Sequence, residues 1–241
     1  MENEWKSSLK DKHVAILGLG SGGSGVADML ARAGVGRLTL VDPDNLEANN
    51  LARHVLEDKW VGNKKVFAMA EHLKRVRCGM SVQVVAEKFR GLEECPDVIA
   101  SCVDSLACES QINAYSLEKN VPVVYGGVHG DAHTAEIITV IPGLTPCYEC
   151  YERTGELPPP GQEHYTDPNH DPTKMPHQEG LWVDVLMAAS LHVQAILGVL
   201  GVREKLPPLI LMSLRAPFRY EGYNQKDRCA VCSENMEGLQ V

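Results

Sequence analysis

Positive charge is scarce in this chain: 23 lysines and arginines stand against 32 aspartates and glutamates in 241 residues, a formal net charge of −9. A protein that coats nucleic acid needs a basic stripe to displace phosphate counterions, so no nucleic-acid partner is expected. A local cluster of cations could still serve a single nucleotide. Uninterrupted apolar runs are missing as well; none approaches the 18 or more residues of a bilayer span. The opening MENEWKSSLKDK has no apolar centre of the signal-peptide kind. The expectation is a cytoplasmic chain without a membrane partner. Internal repeats are absent too, and 241 residues suffice to bury one substantial core.

The apolar residues that are present fall into an alternating order. Residues 13–17 (HVAIL), 37–42 (RLTLVD), 81–86 (SVQVVA), 97–102 (DVIASC) and 121–125 (VPVVY) read as short buried strands, with helical patterns between them at 23–34, 62–77 and 106–119. This order predicts an α/β, Rossmann-like, largely parallel sheet with helices on both faces. Beyond residue 130, HTAEIITVIPG and LPPLILMSLRAPFRYEGY read as further strands that extend the sheet in antiparallel fashion. Residues 180–200 are apolar nearly all round, which predicts a helix buried in the core or in a subunit interface. Six prolines between 151 and 179 exclude helix and central strand there. One domain is expected, with a nucleotide-binding half at 1–130 and the antiparallel extension at 131–241.

Gly18, Gly20 and Gly23 form GxGxxG between the first strand and the first helix. Glycines there let backbone N–H groups and a helix N-terminus face an anion. Asp42 ends the second strand, where a carboxylate can accept bonds from ribose hydroxyls. A dinucleotide and a mononucleotide remain open at this point, and a turn with no ligand is the plain alternative. Of eight cysteines, Cys78, Cys95, Cys102 and Cys108 are scattered, while Cys147/Cys150 and Cys229/Cys232 form two CxxC pairs. Four thiolates suit one tetrahedral structural zinc site, which would pin the C-terminal tail to the end of the extended sheet. A redox CxxC is the alternative, disfavoured by the two copies and the lack of a thioredoxin-like setting. His129, His133, His164, His170 and His177 are irregularly spaced and read as solvated loop residues.

VDPDNLEANNLARH and VGNKKV, joined to the glycine motif and the CxxC pairs, closely resemble the adenylyltransferase superfamily that activates ubiquitin and ubiquitin-like proteins. Molybdopterin-synthase and thiamine sulfur-carrier adenylyltransferases belong to it, and the resemblance runs from about residue 12 to 233. It implies ATP and Mg²⁺ as cofactors, with Asp42 at the ribose and Asp44 beside it near metal and phosphates. Asn50, Arg53 and Lys65 would reach the triphosphate, and Asp104 in SCVDS would hold Mg²⁺ or orient the incoming carboxylate; Arg53, Lys65 and Asp104 are the catalytic candidates. A carboxylate attacking an α-phosphate needs fixed cations that disperse charge on the leaving pyrophosphate. Singly, Asp44 and Asn50 could cap local backbone, and Arg53 or Lys65 could be solvated.

The resemblance further implies a homodimer, a small β-grasp carrier ending in glycine as protein partner, and a conjugating or sulfur-transfer partner, with residues 151–179 crossing over the substrate tail. The chain departs from the family at several points. No cysteine lies from Tyr151 to Arg228, where thioester-forming relatives carry theirs, which leaves Cys95, Cys102 and Cys108 as candidates. The first arginine is Arg32, so Lys6, Lys10 or Lys12 would have to replace an N-terminal arginine. Ser105, Glu109 and His54 stand where asparagine, arginine and glutamine are usual. A non-catalytic partner subunit is therefore a competing reading, and a nicotinamide-dependent oxidoreductase a third.

Overall fold

The computed structural model describes residues 8–129, 134–154, 181–214, 220–223 and 229–233. Among the described residues, eight strands form one sheet in the order β3-β2-β1-β4-β5-β6-β7-β8. They are β1 (His13–Leu17), β2 (Arg37–Val41), β3 (Ser81–Val85), β4 (Val98–Ser101), β5 (Val123–His129), β6 (Thr134–Val140), β7 (Leu209–Ser213) and β8 (Tyr220–Tyr223). The first five pair in parallel and the last three are antiparallel. The expected α/β class and the antiparallel extension are both present.

The inner parallel strands β1, β2 and β4 are buried almost throughout, which is why they read as continuous apolar runs, whereas β3 at the sheet edge is only half-buried. Within β1, Val14 and Ile16 enter one core with α1 (Ser21–Ala33), α2 (Lys65–Val76) and α5 (Trp182–Val199), while Ala15 and Leu17 enter the other with α3 (Leu106–Lys119) and α4 (Tyr148–Thr154). Gly34 ends α1 in the left-handed region at φ 110°, and its N–H reaches the Leu30 and Ala31 carbonyls. Ser105 starts α3 by accepting the Cys108 N–H.

Three expectations need correction. Trp182–Val199 is long and apolar enough to cross a membrane by length and composition, with mean hydropathy 1.5, contrary to the reading that no such run exists. Alternation of polar residues such as Asp184, Ser190 and His192 hides it from a search for unbroken runs; half of the helix is buried, and it packs on α1 and β5. The proline-rich segment expected to begin at 151 begins later, because residues 151–154 complete α4. The rest of that segment, with His164, His170 and His177, lies outside the described residues, as does His133. β5 also continues to His129, past the expected end at 125, because β6 pairs with it along its whole length.

Candidate active site

The sheet reverses its winding between β1 and β4, and in α/β sheets such a switch point opens a crevice at the carboxyl ends of the strands. A cavity of about 550 Å³ lies there. Gly18, Gly20, Asp42, Asp44, Asn50, Arg53, Lys65 and Asp104 all line it, drawn from the ends of β1, β2 and β4, the short 3₁₀ turn Ala48–Arg53 and the start of α2. Of the residues singled out in the sequence for this site, Gly23 alone does not line it.

The glycines divide by function. A Cβ on Gly23 would lie 1.9 Å from the Gly18 carbonyl oxygen, and one on Gly18, at φ +87°, would lie 2.5 Å from the Cys102 carbonyl. These two allow the tight strand-to-helix turn. Gly20, the N-cap of α1, has nothing within 4 Å of its Cβ position and faces the cavity. Its missing side chain leaves room for a ligand against the N-terminus of a 13-residue helix, where backbone dipoles favour an anion.

Asp42 is 4% exposed. Its Oδ2 accepts the Leu19 N–H at 2.6 Å and its Oδ1 the Asp44 N–H at 2.8 Å. Burial raises its pKa, opposed by the Lys65 charge and by those two backbone donors. Each oxygen retains acceptor capacity beyond these bonds and Asp42 lines the cavity, so ribose hydroxyls fit as further donors. Lys65 is 8% exposed and places Nζ 3.3 Å from Asp44 Oδ2. Asn50 also performs the plain capping duty expected of its type: its Oδ1 accepts the Glu47 N–H at 3.1 Å, and the Glu47 side chain accepts the Asn50 N–H in return. Asp104 is exposed at the N-terminal side of α3. Asp44 and Asp104 bring two carboxylates to the cavity beside Lys65 and Arg53, and hard oxygen ligands of this kind fit Mg²⁺.

Within one chain, no N-terminal lysine among the described residues reaches the cavity. Lys12 precedes β1 at the opposite end of the sheet, paired with Asp97 at 3.4 Å, and neither Lys10 nor Lys12 lines the cavity; Lys6 lies outside the described residues. Instead Lys88, with Phe89, reaches the cavity from the segment after β3. Sequence reasoning missed both. The signal was available, since a residue just past a parallel strand shares the crevice that Asp42 occupies past β2.

Two of the three candidate thiols, Cys102 and Cys108, are pushed away from the thiolate form. Cys102 lies under the glycine turn, 3.8 Å from His192 Nδ1, and burial pushes its pKa up to about 12. Cys108 lines the cavity, but burial and the nearby Glu109 and Asp104 carboxylates raise it. Cys95 is exposed beside Tyr115, outside the cavity lining. Glu109, in the place of the usual arginine, is buried and accepts a hydrogen bond from the Tyr148 hydroxyl. His54, also a departure, is buried between the glycine loop and the Arg53 turn.

The second constellation is the cysteine cluster. The Sγ atoms of Cys147, Cys150, Cys229 and Cys232 all lie within 4.8 Å of one another, with separations of 3.8 Å within the first pair and 3.6 Å for both Cys147–Cys229 and Cys150–Cys232. A disulfide needs about 2.05 Å. Tetrahedral zinc with Zn–S near 2.3 Å places sulfurs about 3.8 Å apart. The four residues therefore form a metal-ligand set consistent with zinc. The Cys147–Cys150 pair is set by α4, which α3 steadies through Asn113 Oδ1 accepting the Tyr148 N–H at 3.1 Å.

The model of the ThiF family matches residues 2–205. The chain belongs to the ThiF family. Among curated relatives, this ThiF-family chain is 31% identical over 159 residues to ubiquitin-like modifier-activating enzyme 5 of Drosophila ananassae, a match covering 59% of this chain and 40% of that protein. It is 33% identical over 154 residues to the molybdopterin-synthase adenylyltransferase of Escherichia coli strain K12, covering 61% of each. The chain thus spans less than two thirds of the length of these relatives. Its fold is that of E. coli MccB crystallised with ATP, at TM-score 0.75 and 23% identity over 94% of this chain and 68% of that one.

Proposed function

We propose that this ThiF-family chain uses ATP to adenylate the C-terminal carboxylate of a small ubiquitin-like or sulfur-carrier protein, releasing pyrophosphate, in the cytoplasm. The observation that carries the reading is the convergence of a helix N-terminus, Asp42, Arg53, Lys65 and Asp104 on one cavity of about 550 Å³. The relatives support it by name: one is an activating enzyme for a ubiquitin-like modifier, the other an adenylyltransferase.

In this reading Asp42 accepts from the ribose, and the α1 N-terminus, Arg53 and Lys65 hold the phosphates. Asp104 and Asp44 would hold Mg²⁺, which would supply neutralisation of phosphate charge. Lys65, buried and held by Asp44, and Arg53 beside it would stabilise charge developing on the departing pyrophosphate. Asp104 would hold the metal or orient the attacking carboxylate. Burial raises the thiol pKa of Cys102 and Cys108, and Cys95 lies outside the cavity lining, which favours a product that leaves as the acyl adenylate. The Cys₄ set would hold a closed, structural zinc. A second copy of the chain and a sulfur-transfer or conjugating partner complete the proposal.

The reading is tested by isothermal titration with ATP and NAD. ATP is expected to bind more tightly, and Asp42→Ala to weaken it. Arg53→Ala and Lys65→Ala should each slow carrier-dependent exchange of labelled pyrophosphate into ATP by ~10²–10³, the usual cost of losing one preorganised donor. Tighter binding of NAD than of ATP would favour a hydride-transfer enzyme and overturn the proposal.

A further inference from the structure

His54 closes the 3₁₀ turn that ends in Arg53, and it is 7% exposed. Both ring nitrogens are engaged. Nε2 lies 2.9 Å from the Leu19 carbonyl oxygen, and the Leu56 N–H donates to Nδ1 over 3.1 Å. Only the tautomer with the proton on Nε2 satisfies both contacts, with the ring donating on one side and accepting on the other. Burial, aided by the Lys65 and His72 charges, lowers the pKa to about 4 against the pull of the Leu19 carbonyl, so the ring is neutral at ordinary pH.

Leu19 sits between Gly18 and Gly20 at the crown of the glycine loop. Its N–H goes to Asp42 Oδ2 and its carbonyl to His54 Nε2. One loop residue is thereby fastened on one side to the carboxylate at the end of β2 and on the other to the residue that follows Arg53. The same segment touches the first turn of α1, where the Val55 N–H points to Ser24 Oγ at 3.5 Å and Ser24 Oγ donates to the Ser21 carbonyl at 2.9 Å. His54 itself does not line the cavity, whereas Gly20 and Arg53 do.

We infer that His54 is a positioning residue that holds the Arg53 turn in register with the glycine loop, so that the guanidinium and the α1 N-terminus address the same phosphates. The inference rests on the adenylation reading. A glutamine side chain also ends in one donor and one acceptor, so it can take over both contacts, whereas alanine leaves the Leu19 carbonyl and the Leu56 N–H unpaired. The departure from the usual glutamine is then a change of residue that keeps the pattern of donors and acceptors.

The test compares His54→Ala and His54→Gln with wild type for ATP affinity and for pyrophosphate exchange per folded molecule, at a temperature where circular dichroism shows all three folded. His54→Ala should lose ~10²-fold in exchange, the cost of a misplacement of about 1 Å at a phosphate-binding group, and His54→Gln should restore most of it. A purely structural His54 would lower the melting temperature of His54→Ala and leave its exchange per folded molecule unchanged; that result, or a glutamine variant as impaired as the alanine one, overturns the inference. Should His54→Ala fail to fold, ¹⁵N chemical shifts of wild type decide. A neutral ring protonated on Nε2 down to about pH 5.5 is expected, and a ring protonated on Nδ1 is incompatible with the inference. Wild type that binds no ATP would overturn the adenylation reading and this inference together, whereas wild type that binds ATP beside an unimpaired His54→Ala overturns this inference alone.

Discussion

Gly20 and Gly23 belong to one motif and answer to different constraints. Alanine at Gly23 drives a methyl into the Gly18 carbonyl, a contact at 1.9 Å with backbone that cannot yield, while alanine at Gly20 meets only the open cavity. Gly23→Ala should therefore lower the melting temperature and remove nucleotide binding. Gly20→Ala should keep the melting temperature and lose nucleotide affinity alone, as read by thermal unfolding and titration with ATP. The motif's spacing was legible in the sequence, but this division was not, because it depends on which carbonyl lies opposite each Cα. The same holds for Lys88, whose value comes from the crevice and not from any pattern around it. Two buried histidines add a pH dependence. Burial lowers His54 and His192 from 6.5 to about 4 each, with Nε2 of each against a carbonyl, Leu19 and Val124 respectively. The unfolded chain takes up these protons first, so their stabilising contribution is complete above about pH 6.5 and is lost as pH falls from there toward 4, of order 3 kcal/mol for each ring. Urea unfolding at pH 7 and pH 5 should show this loss, and His54→Gln should show a smaller one.

At the scale of elements, α3 was readable to the residue, since Ser105 caps it and Asn120 ends it in the left-handed region at φ 54°. The fate of α5 was less plain. Its all-round apolar face suits a core, an interface or a bilayer equally well, and only its packing on α1, β5 and β6 shows which part of it the fold uses. The CxxC pairs were legible as metal ligands because thiolate spacing is a chemical signature. Their convergence was not, because 78 residues separate the pairs and no local rule brings them together. About one zinc per chain is expected by elemental analysis of the purified protein, following the four-thiolate rule. Cys229→Ser should lower the melting temperature while ATP affinity per folded molecule is kept, since no cysteine of the cluster lines the nucleotide cavity. A native protein that is metal-free and equally stable would contradict the zinc assignment.

At the scale of the molecule, the strand order explains why residues 24 to 86 positions apart in sequence meet in one crevice: Gly18, Asp42 and Asp104 each stand just past the carboxyl end of a strand, and those strands are neighbours at the switch point. The alternating strand and helix pattern made this foreseeable, and Lys12 shows the converse, since a residue before β1 is carried to the far end of the sheet from its own chain's cavity. The crevice brings the three cations Arg53, Lys65 and Lys88 together with the carboxylates Asp42, Asp44, Glu87 and Asp104 in a chain whose overall charge is −9, a mixed lining that is unlike the basic stripe of a nucleic-acid surface. The central claim is that this crevice joins a carboxylate to the α-phosphate of ATP. It is tested most directly by exchange of labelled pyrophosphate into ATP in the presence of a glycine-ended β-grasp carrier, compared with the same carrier bearing a C-terminal amide. The account predicts exchange with the free carboxylate, none with the amide, and loss of the signal in Asp104→Ala that still binds ATP; a protein that binds both ATP and carrier yet supports no exchange would contradict it.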